Sequence, residues 1–412
     1  MTISQMYQGC AWALLLLAFN ADARAQAPLT LEAARQRARA VSPTLMAARA
    51  AAEAATGRER QAGALTNPYF SYSREQVGGD ASASQDIAAL EQPIEIGGQR
   101  SARVGAARLR RESAEARLQA AAVDVDLDVA RAFVALWAAD RRTALLQQAA
   151  QQFATATNVM NRRLAEGDVS GYAARRVRLE AARYAALAAA ADLERQSARL
   201  RLAQLLQMPP DSIATPQIPT ARTAQADSLL ANAGLLNAEV RAADLEARAA
   251  AMDAQLSRRE RIPAPTLSAG YKRETTTADA TLNGFVAGIG LTIPLWDNRV
   301  GAVQAADAEA RRLAAERDVV QQRITLQLHT AREAIRRLET QLATLRAQLG
   351  AEAVAALRAA ETAYAEGEIT LAEWLDAVRA YQEAESSFTL VTAETLLQHA
   401  QLERLVGTQI LR

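Results

Sequence analysis

The chain has 412 residues, a formal net charge of +1, 4% aromatic residues and a single cysteine. Those values exclude a disulfide scaffold and offer no basic surface for nucleic acid or for an anionic lipid headgroup. Ala, Leu, Arg, Glu and Gln dominate, which is the composition of long helices and coiled coils rather than of several globular domains.

Residues 1–25 read as a secretory signal. Ala11 to Phe19 is an apolar run too short to span a bilayer, and Ala23-Arg24-Ala25 is a small-x-small cleavage site, although no Lys or Arg precedes Trp12. Cys10 falls inside this segment, so the mature chain is expected to carry no thiol; lipidation of Cys10 is the alternative, without the apolar run that would precede it.

The first structural repeat is placed at 26–207. Thr30 reads as an N-cap, and Ser42-Pro43 as a second N-cap followed by Pro at N1. An Ala-rich helix then runs to the Thr66-Asn67-Pro68 stop. Strands are expected at about 67–77 and 85–94 around the Gly78-Gly79-Asp80 turn, then a proline-free helix over 98–165 and a return helix over 168–207. A Pro-rich linker occupies 208–226. The second repeat, 227–412, holds a helix, strands at about 266–275 and 284–294, a long helix over 298–365 and a return helix over 368–407. Four landmarks recur in the same order: Ser42-Pro43-Thr44-Leu45 with Asn237-Ala238-Glu239-Val240, Gln92-Pro93-Ile94 with Ile293-Pro294-Leu295, Ala165-Glu166-Gly167 with Ala365-Glu366-Gly367, and the Leu202 to Leu206 stretch with Leu402 to Val406. Such collinearity is the mark of a duplicated half.

Phe285, Ala287, Ile289, Leu291 and Ile293 alternate with Val286, Gly288, Gly290 and Thr292, the pattern of a transmembrane barrel strand or of a half-buried soluble hairpin. In the second long helix, Ile324, Leu328, Ala331, Ile335, Leu338, Leu342, Leu345 and Leu349 step by four and three, and Val123, Leu127, Ala130, Val134 and Trp137 do so in the first. Heptad seams of that length demand neighbouring helices. Four strands cannot close a barrel, and an open edge cannot face lipid. The fold class is therefore mostly α with a small β part: a protomer of long coiled-coil hairpins plus four strands, completed by other copies into a composite barrel that continues as a helical tube.

With these pieces in order, the chain resembles the TolC-type outer membrane factors over essentially the whole mature protein. Leu90 to Arg103 (LEQPIEIGGQRSAR) is similar to the strand-to-helix junction of the CzcC-like, heavy-metal efflux branch. Gly167-Asp168-Val169-Ser170 and Gly367-Glu368-Ile369-Thr370 resemble the family's hairpin tip, Gly-x-x-Ser/Thr. The resemblance implies a homotrimer with a 12-stranded barrel in outer-membrane lipid and a helical barrel in the periplasm of a Gram-negative bacterium. It also implies tips that dock a periplasmic membrane-fusion adaptor, and an inner-membrane, proton-driven RND pump that drives substrate through. The expected role is a passive exit duct for heavy-metal cations; alternatives are a duct for organic solutes, a periplasmic adaptor or a structural coiled coil.

The same resemblance places Glu373 and Asp376, which share a helix face, at the constricted mouth, where three copies would give a cation-selective ring. The other reading is that two acids in a helix's first turns favour its dipole. A basic residue that locks hairpins in some members is Ile369 here, and its acidic partner falls at Ala173, so a closed mouth would rest on packing at Ile369 and Leu371. Gly167 and Gly367 suit a chain reversal by plain turn chemistry, with adaptor contact as the further expectation. Tyr69, Phe70, Tyr72, Tyr271, Phe285 and Trp296 gather at the strands as an aromatic belt for the membrane interface. His329 and His399 lack a second ligand at chelating spacing, the methionines form no ladder, and no nucleophile, phosphate loop or nucleotide motif is present, so neither metal site, cofactor nor enzymatic activity is expected.

Overall fold

The computed structural model describes residues 28–78, 83–217, 237–275, 280–349 and 352–407. The expected signal, Cys10, Gly79-Asp80 and residues 218–226 of the Pro-rich linker lie outside them. In chain order the described elements are α1 (Leu31–Val41), α2 (Pro43–Ala62), β1 (Tyr69–Val77), β2 (Ala83–Pro93), α3 (Gln99–Glu166), α4 (Gly171–Leu206), α5 (Ala238–Arg259), β3 (Pro265–Thr275), β4 (Thr281–Leu291), α6 (Val300–Leu349), α7 (Glu352–Glu366) and α8 (Leu371–Val406).

Three helix starts before the hairpin returns have a side-chain cap. Thr30 accepts from the Ala33 amide, Ser42 from Leu45 with Pro43 at N1, and Asn237 from Glu239 and Val240. α3 is 68 residues long, roughly 100 Å at ~1.5 Å per residue. α4 and α8 both have 36 residues.

The helices associate through the expected heptad positions and through more. Ile324, Leu328, Ala331, Ile335 and Leu342 are buried along α6, while Leu338 and Leu345 are half-buried. The largest cluster sits midway along α3. There Val129, Phe133 and Leu136 join Leu127, Ala130, Val134 and Trp137, and α1, α2, α4 and α8 cover them with Leu31, Leu45, Leu202, Leu206 and Leu396. A buried Arg35–Glu403 pair at 2.5 Å ties α1 to α8 at this level.

The strands form one antiparallel sheet in the order β1-β2-β3-β4, so β2 and β3, one from each half, pair along their length. β4 ends earlier than the expected 294 because Pro265, the first residue of β3, pairs with Leu291. β1 and β4 each leave one edge without a partner among the described residues.

Candidate functional site

The sheet has two chemically different faces, fixed by alternation and register. Tyr72, Ala88, Tyr271 and Phe285 stand in one row across all four strands, and Phe70, Leu90, Ala269 and Ala287 in the next but one. Tyr271 and Phe285 meet edge to face with centroids 6.4 Å apart, and Phe285 is 93% exposed. The opposite face carries Ser71, Ser73, Ala89, Glu91, Ser268, Gly270, Lys272, Gly284 and Gly288, with Ile87 and Val286 among them. Gly270 has no room for a side chain: an added Cβ would come within 2.6 Å of the Ala88 carbonyl oxygen. One aromatic of the expected belt parts from the rest. Tyr69 pairs with Glu91 on the small-polar face, because adjacent strand residues point to opposite sides. Trp296 lies beyond β4 and is 93% exposed.

Both hairpin tips are built alike. Gly167 (φ 83°) and Gly367 (φ 79°) take the left-handed conformation. The Gly167 amide donates to Leu164 O and the Asp168 amide to Arg163 O; Gly367 and Glu368 repeat this with Tyr364 and Ala363. This double closure is the Schellman arrangement that satisfies terminal carbonyls. Val169 and Ile369 complete the links, and Ser170 and Thr370 cap the return helices by accepting from the Ala173 and Glu373 amides. The return helices therefore begin at Gly171 and Leu371, after the caps.

Of the three expected mouth residues, Glu373 turns back to the tip. Its Oε2 accepts from the Thr370 amide at 2.7 Å and from the Thr370 hydroxyl at 2.8 Å, completing a capping box. That backbone hydrogen bond, with the hydroxyl's, holds its carboxyl below the usual carboxylate range. Asp376 is exposed and lies 3.5 Å from Arg379. Ile369 packs with Leu371 against a cluster of Phe153, Tyr184, Leu357, Trp374, Leu375 and Val378.

That cluster joins the two hairpins, and sequence reasoning did not assemble it. Tyr184 stacks on Phe153 (4.7 Å), Phe153 tilts against Trp374 (5.3 Å), and Trp374 stacks on Tyr364 (5.2 Å). Arg379 also reaches Glu180 at 2.5 Å, an ion pair from α8 to α4 that uses neither of the positions considered for a latch. Only the scarcity of aromatics signalled this cluster in the sequence. A cavity of about 500 Å³ opens beside it between α3 and α7, lined by Gln152, Val159, Met160, Glu361, Tyr364 and Trp374.

The junction segment Leu90 to Arg103 is a structural hub. Glu95 holds Arg103 in a two-point pair (2.6 and 3.1 Å), and Arg103 donates to Ala62 O. Arg100 donates twice to Gly63 O, and Gln99 donates to Arg259 O and Ile262 O, so α2 and α5 have their last carbonyls satisfied by the start of α3. The side chains of Gln99, Arg100 and Arg103 are thus all engaged, while the buried Oε1 of Gln99 has no hydrogen-bond partner. His399 is buried beside Glu339, His329 is exposed on α6, and no cluster of three or more metal-ligating side chains occurs among the described residues. No helix among them is long and apolar enough to cross a membrane.

Comparison with known proteins supplies the context for this geometry. The sequence pattern of the outer membrane efflux protein family matches residues 229–408. The cobalt-zinc-cadmium resistance protein CzcC of Cupriavidus metallidurans is 28% identical over 393 residues, covering 93% of this chain and 91% of that one. The nickel-cobalt-cadmium resistance protein NccC of Alcaligenes xylosoxydans xylosoxydans is 28% identical over 318 residues, covering 71% and 67%. Among solved structures, CusC superposes with a TM-score of 0.76 at 15% identity, covering 92% of both chains. The outer membrane protein VceC of Vibrio cholerae gives 0.75 at 20% identity, covering 92% of this chain and 96% of that one. At these identities the structural likeness speaks for the fold.

Proposed function

We propose that this chain, an outer membrane efflux protein of the TolC type and CzcC-like branch, is the passive exit duct of a tripartite system that exports heavy-metal cations. It lies in the outer membrane with its helical part in the periplasm. The observation that carries the duct reading is the open four-stranded sheet. Among the described residues it has two bare edges, an aromatic row on one face and mostly small or polar residues on the other, and it is joined directly to the long hairpins. Edges that bare must pair before they meet hydrocarbon. Three copies supply twelve strands, with the aromatic face to lipid and the polar face to the lumen.

In that assembly the hairpin tips project toward the inner membrane, where they meet a periplasmic adaptor, and a proton-driven RND pump supplies the energy. Gly167 to Ser170 and Gly367 to Thr370 form the adaptor-facing surface, and the exposed carboxylates of Glu373 and Asp376 ring the mouth and favour cations over anions. The cation reading is supported by the acidic balance of α8, six carboxylates against two arginines, together with the metals named for the relatives. Export of organic solutes is the competing reading. A strain lacking the chain, grown in cobalt, zinc or cadmium salts and separately in organic toxicants, decides between them. Loss of metal tolerance alone supports the proposal, loss of tolerance to organic compounds alone supports its rival, and neither loss refutes both. In planar bilayers, Glu373→Gln/Asp376→Asn is expected to abolish block by added divalent cations; unchanged block would remove these residues from the mouth.

A further inference from the structure

The chain's net charge of +1 hides a local excess of positive charge where the sheet meets the helices. Four segments meet there: residues 58–63 at the end of α2, 94–103 from β2 into α3, 258–263 at the end of α5, and 296–301 leading into α6. Together they hold eight arginines against four carboxylates, an excess of four charges where the whole chain has one. Hydrogen bonds to the backbone tie three of these segments into one junction. Arg100 donates to Gly63 O at 2.7 Å, Arg259 to Gly98 O at 2.8 Å and Gln99 to Ile262 O at 3.1 Å. Arg299 joins the fourth segment to them through its ion pair with Glu260.

Arg103 is paired with Glu95 and Arg258 with Asp307, and Glu59 belongs to Arg111. Arg58, Arg60, Arg100, Arg259 and Arg261 have no carboxylate within ion-pair distance among the described residues, and all but Arg259 are exposed. A carbonyl partner orients Arg100 and Arg259 but leaves their charge uncompensated. Next to these cations the aromatic face of the sheet ends in an apolar skirt. The Ile94 amide donates to Pro265 O at 2.8 Å, which prolongs β2 and keeps Ile94 in phase with Leu90 on the aromatic face. Leu65, Ile96, Leu295 and Trp296 lie beyond the strand ends, each between 63% and 93% exposed. Apolar side chains followed by cations is the order met on leaving a bilayer, acyl chains first and headgroup phosphates next.

We propose that these five arginines form a collar that holds the phosphate groups of anionic phospholipids in the periplasmic leaflet of the outer membrane. A guanidinium offers two parallel N–H donors to phosphate oxygens. Several on one rim favour a lipid of net negative charge over a zwitterionic one, whose own cation offsets its phosphate. The leaflet follows from position, because the collar lies on the helical side of the sheet and that part stands in the periplasm. Held in this way, the sheet resists sliding along the bilayer normal, which fixes how far the hairpins reach toward the inner membrane. The assignment rests on the reading of the sheet as embedded in the membrane.

Tryptophan quenching tests it in full-length protein reconstituted into phosphatidylcholine vesicles with a minor share of phosphatidylglycerol. Trp296 is exposed whereas Trp137 and Trp374 are buried, and a Trp296→Phe variant isolates its signal. Bromine is placed on the acyl chains of one lipid at a time, at equal mole fraction. In the parent, brominated phosphatidylglycerol is expected to quench Trp296 more strongly than brominated phosphatidylcholine. Arg58→Gln/Arg60→Gln/Arg261→Gln changes exposed side chains that hold nothing in the fold, so folding is not at stake. Each basic group beside an anionic bilayer is worth about a fivefold gain in binding. The triple Gln variant is therefore expected to lose at least about fivefold of the preference, and the matching triple Lys variant to keep most of it. Equal quenching by both lipids in the parent would overturn the collar and leave the duct reading intact. A preference that survives in the Gln variant would take it away from these arginines. Quenching by neither lipid would sink the embedded sheet, and the duct reading with it. If inorganic phosphate abolishes the preference where chloride of equal ionic strength does not, the arginines serve free phosphate and the lipid assignment fails.

Discussion

Truncating Trp374 tests whether the hairpin ends form a separate cooperative unit. Its indole is 5% exposed, stacked on Tyr364 and tilted against Phe153, which in turn stacks on Tyr184. Trp374→Ala removes a buried aromatic, a change that costs about 3–5 kcal/mol, of which each lost ring pair accounts for roughly 0.5–1.5. The mid-helix cluster around Phe133 lies twenty residues along α3 from Phe153, roughly 30 Å away at ~1.5 Å per residue. The loss should therefore stay local. Because each 1.4 kcal/mol is about tenfold, amide hydrogen exchange over 355–385 should accelerate by about a hundredfold or more in the variant. Amides of 125–137 and 393–403 should keep their protection. Equal acceleration in both regions, or none at the tips, would refute the idea that this cluster governs the hairpin ends alone.

Two further outcomes follow from buried ionisable groups. Burial lowers the pKa of the His399 imidazole from its ordinary 6.5, more than Glu339 at 3.4 Å raises it. The unfolded chain therefore binds a proton that the folded one resists. His399 contributes its full stability above pH ~6.5 and loses it as pH falls below that value toward the folded pKa. Tm measured from pH 7.5 to 5.5 should fall less steeply in His399→Leu than in the parent; parallel curves would remove His399 as the cause. The Arg35–Glu403 pair is almost fully buried, so Glu403→Leu alone should destabilise by about 3–5 kcal/mol, and Arg35→Met/Glu403→Leu should recover most of that loss. Denaturant unfolding of the two variants checks this, and equal loss in both would show that the pair's shape rather than its charge matters.

The elements whose cause is local were legible in the chain. The seam from Ile324 to Leu342, the caps Thr30, Ser42 and Asn237, the reversals at Gly167 and Gly367, and the alternation after Gly284 all follow from spacing along a few turns or a few strand residues. Tyr172, Leu179, Leu193 and Leu200 also recur at heptad spacing along α4, yet the structure leaves them exposed.

What the sequence determined by itself is the repeat, the hairpins and the strand chemistry, because steric preference and apolar periodicity act between near neighbours. Only the tertiary structure brought Glu180 to Arg379, residues 199 apart in sequence, and set Phe153 tilted against Trp374. It also turned Tyr69 to the small-polar face and gave the junction arginines the carbonyls of α2 to hold. Such pairings depend on how one long helix is placed against another, and that is set by the summed burial of many side chains rather than by any short motif.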